Sequence, residues 1–410
     1  MVYKKNKCIK KFLYFLVWKS LNIKHNKRIR DYKNNENMII EKNNSSQSDV
    51  EPSDYKKILS QKNFIKDVPN LEAELIKKNI FLTDNEKLDI SKVMKNYPMC
   101  ISKYYISLIC RKNDPIWNQC IPKIEEITNI RGKEDPLKEE NGIFGLTHRY
   151  PDRCLSLISN TCAMYCRFCT RKRKVGEENK IPSEKDFNKM LRYISDHEEI
   201  RDIILSGGDP LMLSTKKLEK ILKEVRKINH IEIIRIGTRV PCTYPQRIIK
   251  DKNLQTILKE NSNNPALYIN THFEHPMEIT EESKNACEIL TNLGIPLGNQ
   301  SIVLKNVNDN PTTFMELNRK LLAMKVKSYY LYQPDLVKGT FHFICPVSKG
   351  LEIVKGLRGY TSGMAVPQFV IDPPGGGGKI PLLPEYTKTL DDGSVKITNY
   401  QGKHFEYIIE

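Results

Sequence analysis

The sequence predicts an α/β protein with a (β/α) barrel, partial or complete, at its centre. Segments with helical periodicity come first in the chain, and short runs rich in β-branched residues then recur at similar intervals. Segments with the polarity pattern of amphipathic helices separate most of these runs, as in the βαβ units of a parallel sheet. A chain of 410 residues is long enough for one such barrel with additional segments.

The first 55 residues are set apart by their charge. Residues 1–30 contain eight lysines, two arginines and no acidic residue, so most of the net charge of +17 lies there. We expect residues 1–55 to form a basic, disordered leader or extension; the protein would be cytoplasmic, with organellar targeting by this leader as an alternative. Because the charge is concentrated there, we predict no nucleic-acid partner. The apolar run 12–18 is too short for a transmembrane segment.

Residues 56–147 are predicted to form an N-terminal helical region. Apolar residues recur there at three- and four-residue spacing, the pattern of helices with one buried face. The predicted helices are 71–80, 83–97 and 114–127.

Residues 148–345 are predicted to form the barrel core, and residues 346–410 a C-terminal segment and tail. The candidate functional residues follow directly on predicted strands, which is where (β/α) barrels have their active sites. Spacing alone does not distinguish a barrel from a doubly wound sheet. The predicted strands are 154–159, 202–205, 231–237, 266–270, 296–304 and 328–332.

Three of the eleven cysteines, Cys162, Cys166 and Cys169, lie close together after the first predicted strand. Thiolates at this spacing can bind a [4Fe–4S] cluster through three of its irons and leave the fourth iron open to another ligand. The other eight cysteines are scattered, and in a chain of this size the pattern favours a reducing compartment over disulfides.

The cysteine segment resembles the cluster motif of the radical S-adenosylmethionine (SAM) enzymes. Its flanks, residues 148–153 and 170–173, resemble the lysine 2,3-aminomutase family in particular. The resemblance runs from about residue 55 to about residue 400. It implies a partial (β/α)6 radical SAM barrel and three cofactors: a [4Fe–4S] cluster, SAM and pyridoxal 5′-phosphate (PLP). Phe168 stands where many radical SAM enzymes have an aromatic residue that packs on adenine.

A glycine-rich segment follows the second predicted strand and consists of Ser206, Gly207, Gly208 and Asp209. Glycines let the backbone approach a ligand closely, and the segment resembles the one that binds the methionyl amino group of SAM. His272 and Gln300, at later strand ends, match family positions near SAM. A histidine packed in the core is an equally good interpretation of His272 from the sequence alone.

A second glycine-rich segment, residues 375–378, ends at Lys379. A lysine whose pKa is lowered by apolar surroundings is suited to bind PLP covalently, although a flexible surface loop can have the same composition. The segment resembles the PLP lysine region of the aminomutase family. Arg149, Tyr150 and Arg153 match the PLP-binding segment of that family, and their donors suit a phosphate.

Three charged residues match substrate-binding positions of the family. Arg171 matches the arginine that binds the substrate carboxylate, for which a planar guanidinium is well suited. Asp335 and Asp372 match the two carboxylates that receive the ε-ammonium of lysine, a cation that needs opposite charge when it is buried. Relatives that act on glutamate are expected to have basic or amide residues at these two positions.

The resemblance implies an isomerase, a lysine 2,3-aminomutase, that interconverts L-lysine and β-lysine through a SAM-derived 5′-deoxyadenosyl radical and a PLP aldimine. It also implies an external one-electron reductant such as flavodoxin or ferredoxin, and a homo-oligomer. Many members bind structural zinc through C-terminal cysteines, but no cysteine follows Cys345, so no such zinc is predicted.

Three alternatives to this function stay open. The first is a related aminomutase acting on glutamate or on a protein-bound lysine of elongation factor P. The second is a radical SAM enzyme that modifies RNA, and the third is an iron–sulfur carrier without catalytic activity.

Overall fold

The computed structural model describes residues 62–140, 142–176, 182–391 and 394–407. All of them belong to the second of two units, Ser53–Glu410. No helix in these residues is both long enough and apolar enough to cross a membrane. The expectation for residues 1–55 falls outside the described residues, and the predicted boundaries at 147 and 345 stay predictions.

The N-terminal region consists of short helices and one small antiparallel strand pair. Each of the first four helices begins at a residue whose side chain accepts a hydrogen bond from the first turn, such as Thr83, which forms a capping box with Glu86. The helices are α1 (Val68–Ile76), α2 (Asp84–Met94), α3 (Lys103–Ser107), α4 (Pro115–Cys120) and α5 (Glu125–Thr128), and the strands are β1 (Phe64–Ile65) and β2 (Ile101–Ser102).

The single helix predicted over 114–127 is wrong. The chain forms α4 and α5 instead, and Ile121 between them has an extended backbone with φ −87° and ψ 126°. Pro122 follows Ile121, and a residue before proline is driven out of the helical region by the proline ring. The apolar periodicity of the sequence continues across this break, but α4 buries Ile116, Trp117 and Cys120 whereas the buried residue of α5 is Glu126.

A nine-stranded sheet forms the centre of the protein. Its strands are β3 (Leu146–Tyr150), β4 (Arg153–Ser159), β5 (Asp202–Gly207), β6 (Ile233–Gly237), β7 (Ala266–Thr271), β8 (Leu297–Ile302), β9 (Val326–Tyr332), β10 (Gln368–Ile371) and β11 (Ile380–Pro381).

The strands lie side by side in the order in which they occur in the chain. Strands β4 to β10 are parallel, and β3 and β11 pair antiparallel at the two edges. A doubly wound sheet reverses its strand order at a switch point, and this sheet does not. Successive right-handed crossovers that all advance in one direction put their helices on one face, as in a barrel wall. Within the described residues the sheet is open, since no strand pairing joins β3 to β11.

Helices connect the parallel strands as the sequence predicts, and β10 extends the six predicted strands by one. The apolar residues of the helix-facing side of the sheet, such as Ile203, Ile234 and Leu267, are fully buried. The crossover helices are α6 (Glu184–Ser195), α7 (Thr215–Val225), α8 (Val240–Thr243), α9 (Gln246–Lys250), α10 (Lys252–Glu260), α11 (Glu281–Asn292), α12 (Pro311–Ala323) and α13 (Val347–Leu357).

A separate antiparallel sheet lies near the C-terminus. Its three strands are β12 (Thr387–Thr389), β13 (Val395–Thr398) and β14 (His404–Tyr407).

Candidate active site

The three motif cysteines lie in the loop that follows β4. Cys162, Cys166 and Cys169 line one cavity, so the loop brings their thiols to a common space. Removal of water by the surrounding protein raises the pKa of all three thiols, that of Cys169 to about 11. Iron binds the thiolate, so cluster loading releases protons at this site. Three thiols that line one cavity fit a [4Fe–4S] cluster held by three cysteines.

A buried group of three charges holds the cysteine loop to α5. Arg167, between the second and third cysteines, donates to Glu126 from Nε at 2.9 Å and from Nη2 at 2.6 Å. Lys172 Nζ donates to the same carboxylate at 2.8 Å. Burial alone would raise the pKa of Glu126, but Arg167 and Lys172 hold it at about 2. A buried charge without a partner is costly, so this group fixes the loop geometry.

Arg239 lies directly after β6 and contacts the cysteine loop from the opposite side. Its Nη1 donates to Cys166 Sγ at 2.9 Å, and its Nη2 donates to Gln119 Oε1 and Glu278 Oε1, both at 2.6 Å. Its Nε donates to the His272 carbonyl at 2.8 Å. The guanidinium is therefore positioned by four segments of the chain, and one of its hydrogen bonds goes to a candidate cluster ligand.

The predicted SAM-binding segment lies at the end of β5, beside the start of the cysteine loop. Gly207 has φ +120°, and a Cβ there would collide with the carbonyl of Ser159. A glycine is thus required for the close approach of two strand ends. Asp209 accepts from Thr238 Oγ1 at 2.6 Å and from the Arg239 backbone N–H at 2.7 Å. Burial raises the pKa of Asp209 to about 6.

Part of the segment from Ser206 to Asp209 therefore has a structural role. The Asp209 carboxylate ties β5 to the turn after β6, and Ser206 lies on the half-exposed face of the sheet. The assignment of the segment to SAM stays a prediction.

His272 follows β7, and its ring contacts Phe168. Their ring centroids are 5.8 Å apart in an edge-to-face arrangement. His272 Nε2 also forms a hydrogen bond with Glu274, which is fully buried. The His272 side chain is 22% exposed, so it is not a closed core histidine. It lies between the buried Phe168 and open space, near the cysteine loop.

Gln300, in β8, lies among tyrosines. Its Oε1 accepts from Tyr329 Oη at 3.0 Å and from Tyr332 Oη at 3.4 Å. The Lys379 ammonium lies 5.5 Å from the ring centroid of Tyr332. Gln300 is therefore connected to the second glycine-rich segment as well as to the strand ends expected around SAM.

Lys379 lies near the residues that are predicted to bind PLP with it. Its backbone N–H donates to Tyr150 Oη at 2.7 Å, and a Cβ on Gly376 would lie 2.7 Å from Arg149 Nη2. Arg153 stacks on the Tyr150 ring at 3.8 Å, although its Nη1 donates to Asp152. An amine, two guanidinium groups and a phenol thus converge, and this donor set fits an aldehyde that carries a phosphate.

This cluster also joins the two edges of the sheet. Tyr150 belongs to β3 at one edge, and Lys379 precedes β11 at the other. Their hydrogen bond links the loop before β11 to the side chain of β3, so the open sheet is curved, as in a partial barrel.

The three predicted substrate residues lie in the same region as Lys379. Asp372 Oδ2 is 3.4 Å from Lys379 Nζ, and its Oδ1 is buried with no hydrogen-bond partner in the described part of the chain. Burial, and then the charges of Asp372 and Glu139, raise the pKa of Asp335 to about 7, while Lys379 and Arg171 oppose the shift. Arg171 pairs with Glu139.

The sequence did not single out Arg239, Glu126, Glu278 or Glu139. Of these four residues, only Arg239 could have been found from the sequence, because it lies just after a predicted strand, as the predicted site residues do. The three glutamates lie in helices and loops where an acid is ordinarily solvated, and only the folded chain shows what they contact.

Comparisons with known proteins agree with this geometry. Residues 156–317 match the Radical SAM superfamily, and residues 354–408, which include Lys379, match the Lysine-2,3-aminomutase family. These matches define a radical SAM protein, and membership in that superfamily implies a [4Fe–4S] cluster and SAM.

Three relatives identify the family within this superfamily. An L-lysine 2,3-aminomutase of Methanococcus maripaludis is 48% identical over 87% of this chain and 81% of its own length. One of Clostridium subterminale is 46% identical over 80% of this chain and 79% of its own length. A glutamate 2,3-aminomutase of Clostridioides difficile is 43% identical over 81% of this chain and 78% of its own length. The chain belongs to the lysine 2,3-aminomutase family.

Proposed function

We propose that the protein is an isomerase that interconverts L-lysine and β-lysine by moving the α-amino group to Cβ. The observation that carries the choice of substrate is the acidic pair beside Lys379. Asp372 has a buried carboxylate oxygen without a hydrogen-bond partner in the described residues, and Asp335 lies close enough for Asp372 to raise its pKa. Such a pair stabilises an ammonium group and repels a carboxylate.

The cofactor assignments are carried over from the family resemblance. Cys162, Cys166 and Cys169 would hold the [4Fe–4S] cluster, the segment from Ser206 to Asp209 with His272 and Gln300 would hold SAM, and Lys379 with Arg149, Tyr150 and Arg153 would hold PLP. When bound, the cluster with SAM supplies radical chemistry and PLP supplies a covalent attachment for the migrating amino group.

The protein's own part is to bind and orient the substrate. Arg171 would bind its α-carboxylate through two parallel hydrogen bonds, and Asp335 and Asp372 would bind its ε-ammonium. Fixing both ends of a flexible chain positions Cβ between them, and restricted motion of this kind lowers the entropic part of a reaction barrier. Lys379 would be available for covalent attachment once the Asp372 carboxylate binds a different cation.

Glutamate is the second candidate substrate, since a glutamate 2,3-aminomutase is among the relatives. A glutamate side chain would place its second carboxylate against Asp335 and Asp372. Like charges at this distance cost free energy unless a proton or a cation intervenes. The acidic pair therefore favours lysine.

The test is an anaerobic turnover experiment. The protein is reconstituted with iron, sulfide and PLP, then given SAM, dithionite as the one-electron reductant, and either L-lysine or L-glutamate. We expect β-lysine from lysine and no β-glutamate. Formation of 5′-deoxyadenosine without β-lysine would retain the radical chemistry and refute the substrate, and would direct the search to glutamate or a protein-bound lysine.

Two partner assignments are also proposals. In the cell a small electron-transfer protein such as flavodoxin or ferredoxin would replace dithionite, and the family resemblance suggests a homo-oligomer. Neither affects the interpretation of the turnover experiment, which uses a chemical reductant and reports product at any oligomeric state.

A further inference from the structure

Arg171 is engaged by a carboxylate of the protein itself. Its Nε donates to Glu139 Oε2 at 3.1 Å, and its Nη2 donates to Glu139 Oε1 at 2.9 Å. This is the two-point arrangement in which a guanidinium binds any carboxylate, including that of an amino acid. The two side chains are 17% and 22% exposed, so the pair is partly open to water.

Glu139 belongs to a segment that crosses the proposed substrate region, which we call the strap (residues 133–140). Lys133 exchanges backbone hydrogen bonds with Leu336 and Lys338, directly after Asp335. The Pro136 carbonyl accepts from the Gly375 N–H at 2.8 Å. The Leu137 carbonyl accepts from Arg149 Nη2 at 2.6 Å. The strap therefore contacts the loops of the acidic pair and of Lys379, and Glu139 faces into the site.

The neighbouring Glu140 has a different environment on the same strap. It pairs with Arg173 and with Lys174 Nζ, the latter at 2.8 Å, and its side chain is 44% exposed. Both glutamates donate a hydrogen bond from their backbone N–H to the Asp135 carboxylate, at 3.1 Å in each case. The backbone of the strap is thus fixed independently of the Glu139 side chain, and rotation of that side chain leaves these contacts intact.

We propose that Glu139 occupies the position on Arg171 that the substrate α-carboxylate takes, so that substrate binds by exchanging one carboxylate for another. The inference rests on the proposed function, which assigns Arg171 to the substrate. Glu139 is then a specificity-determining residue: only a ligand with a carboxylate of its own can replace it on Arg171, and a simple diamine cannot.

The test is calorimetric titration of L-lysine into the protein loaded with cluster and PLP, without SAM or reductant, so that binding is measured and no turnover occurs. Glu139→Gln keeps the size of the side chain and removes the competing charge. We expect it to bind lysine about fivefold more tightly than the parent, the scale of a partly exposed ion pair that no longer has to be broken. Glu140→Gln is the matched control, with affinity within about twofold of the parent.

A second ligand separates exchange from a general change of charge. 1,5-Diaminopentane is lysine without its carboxylate, and Glu139→Gln should not bind it more tightly than the parent does. Equal or weaker lysine binding by Glu139→Gln, with lysine bound by the parent, would overturn the inference, as would equal tightening for the diamine. Absence of lysine binding in all three proteins would instead overturn the proposed function, and the inference with it.

Discussion

The cysteine end and the substrate end of the candidate site are both rich in charge, but they pair their charges differently. At the cysteine end Glu126 and Arg167 are 0% and 2% exposed, and Arg239 is bonded to Glu278, which is also fully buried. At the substrate end the pairs of Arg171 and Lys379 are partly exposed, and each joins residues on loops. Buried pairs with several partners are permanent parts of the structure, whereas partly exposed pairs can exchange partners at low cost.

The largest effect is expected at the substrate end, for Lys379→Ala. The substitution should abolish covalent binding of PLP and all turnover, because no other amine is expected to replace it, while the iron content stays that of the parent. Borohydride reduction followed by mass spectrometry measures the covalent PLP, and iron analysis provides the control. Covalent PLP retained at another lysine would show that Lys379 is misassigned.

The next largest effect is expected at the cysteine end. Glu126→Gln leaves Arg167 and Lys172 buried without their counter-charge and should lower the free energy of unfolding by about 3–5 kcal/mol. Thermal or denaturant unfolding of the cluster-free protein measures this loss, and the variant should also hold less iron. Glu140→Gln, in an exposed pair, is the control and should cost about 1 kcal/mol or less. If both variants lost the same free energy of unfolding, the distinction between buried pairs at the cysteine end and exposed pairs elsewhere would be wrong.

Arg239 offers a subtler test, because its hydrogen bond goes to the sulfur of Cys166. Hydrogen bonds and positive charge near cluster sulfurs raise the reduction potential, since they stabilise the more negative reduced state. Arg239→Gln should therefore shift the midpoint potential of the cluster to a more negative value, and Arg239→Lys, which keeps the charge, should restore part of the shift. Spectroelectrochemical titration measures both. An unchanged potential in a folded, fully loaded Gln variant would contradict the role.

The smallest effect is a pH dependence at the substrate end. The pKa of Asp335 is raised to about 7, so below that pH the carboxyl is protonated and cannot pair with an ammonium. Lysine binding should therefore strengthen as the pH rises through 7, by about tenfold between pH 6 and pH 8. Calorimetric titrations at several pH values measure the slope. Asp335→Asn should bind lysine weakly and lose this dependence; a slope that persists in the variant would assign it to another group.

The sequence predicted the parts of the fold that are determined locally. Strands β4 to β9 and the helices between them were predicted because their apolar residues recur with the spacing of strands and helices in the local sequence. The cysteine loop and the Lys379 segment were recognised because their spacing matches a family motif. The broken helix at Ile121 was missed because its apolar periodicity outweighed the proline that follows it.

The residues that the sequence missed act through partners that are distant in the chain. Arg239 bonds to Gln119, Cys166 and Glu278, and its position just after a strand is the one local sign that separates it from a solvated arginine. Glu139 is one of two consecutive glutamates, and only the fold separates its contact with Arg171 from the exposed pair of Glu140. Motifs thus identified the residues expected to touch cofactors, and the fold identified the residues that hold them in position.

The contact between Tyr150 and Lys379 has a consequence for how the wall of the protein opens. Along the rest of the sheet, neighbouring strands are joined by ladders of backbone hydrogen bonds. At this seam the two sides are joined by the Tyr150 phenol and by the few backbone hydrogen bonds of the strap to Leu336, Lys338 and Gly375. Parting the seam breaks few hydrogen bonds, whereas parting any two interior strands breaks a whole ladder. The wall is therefore most easily parted beside Lys379, while the seven parallel strands stay paired.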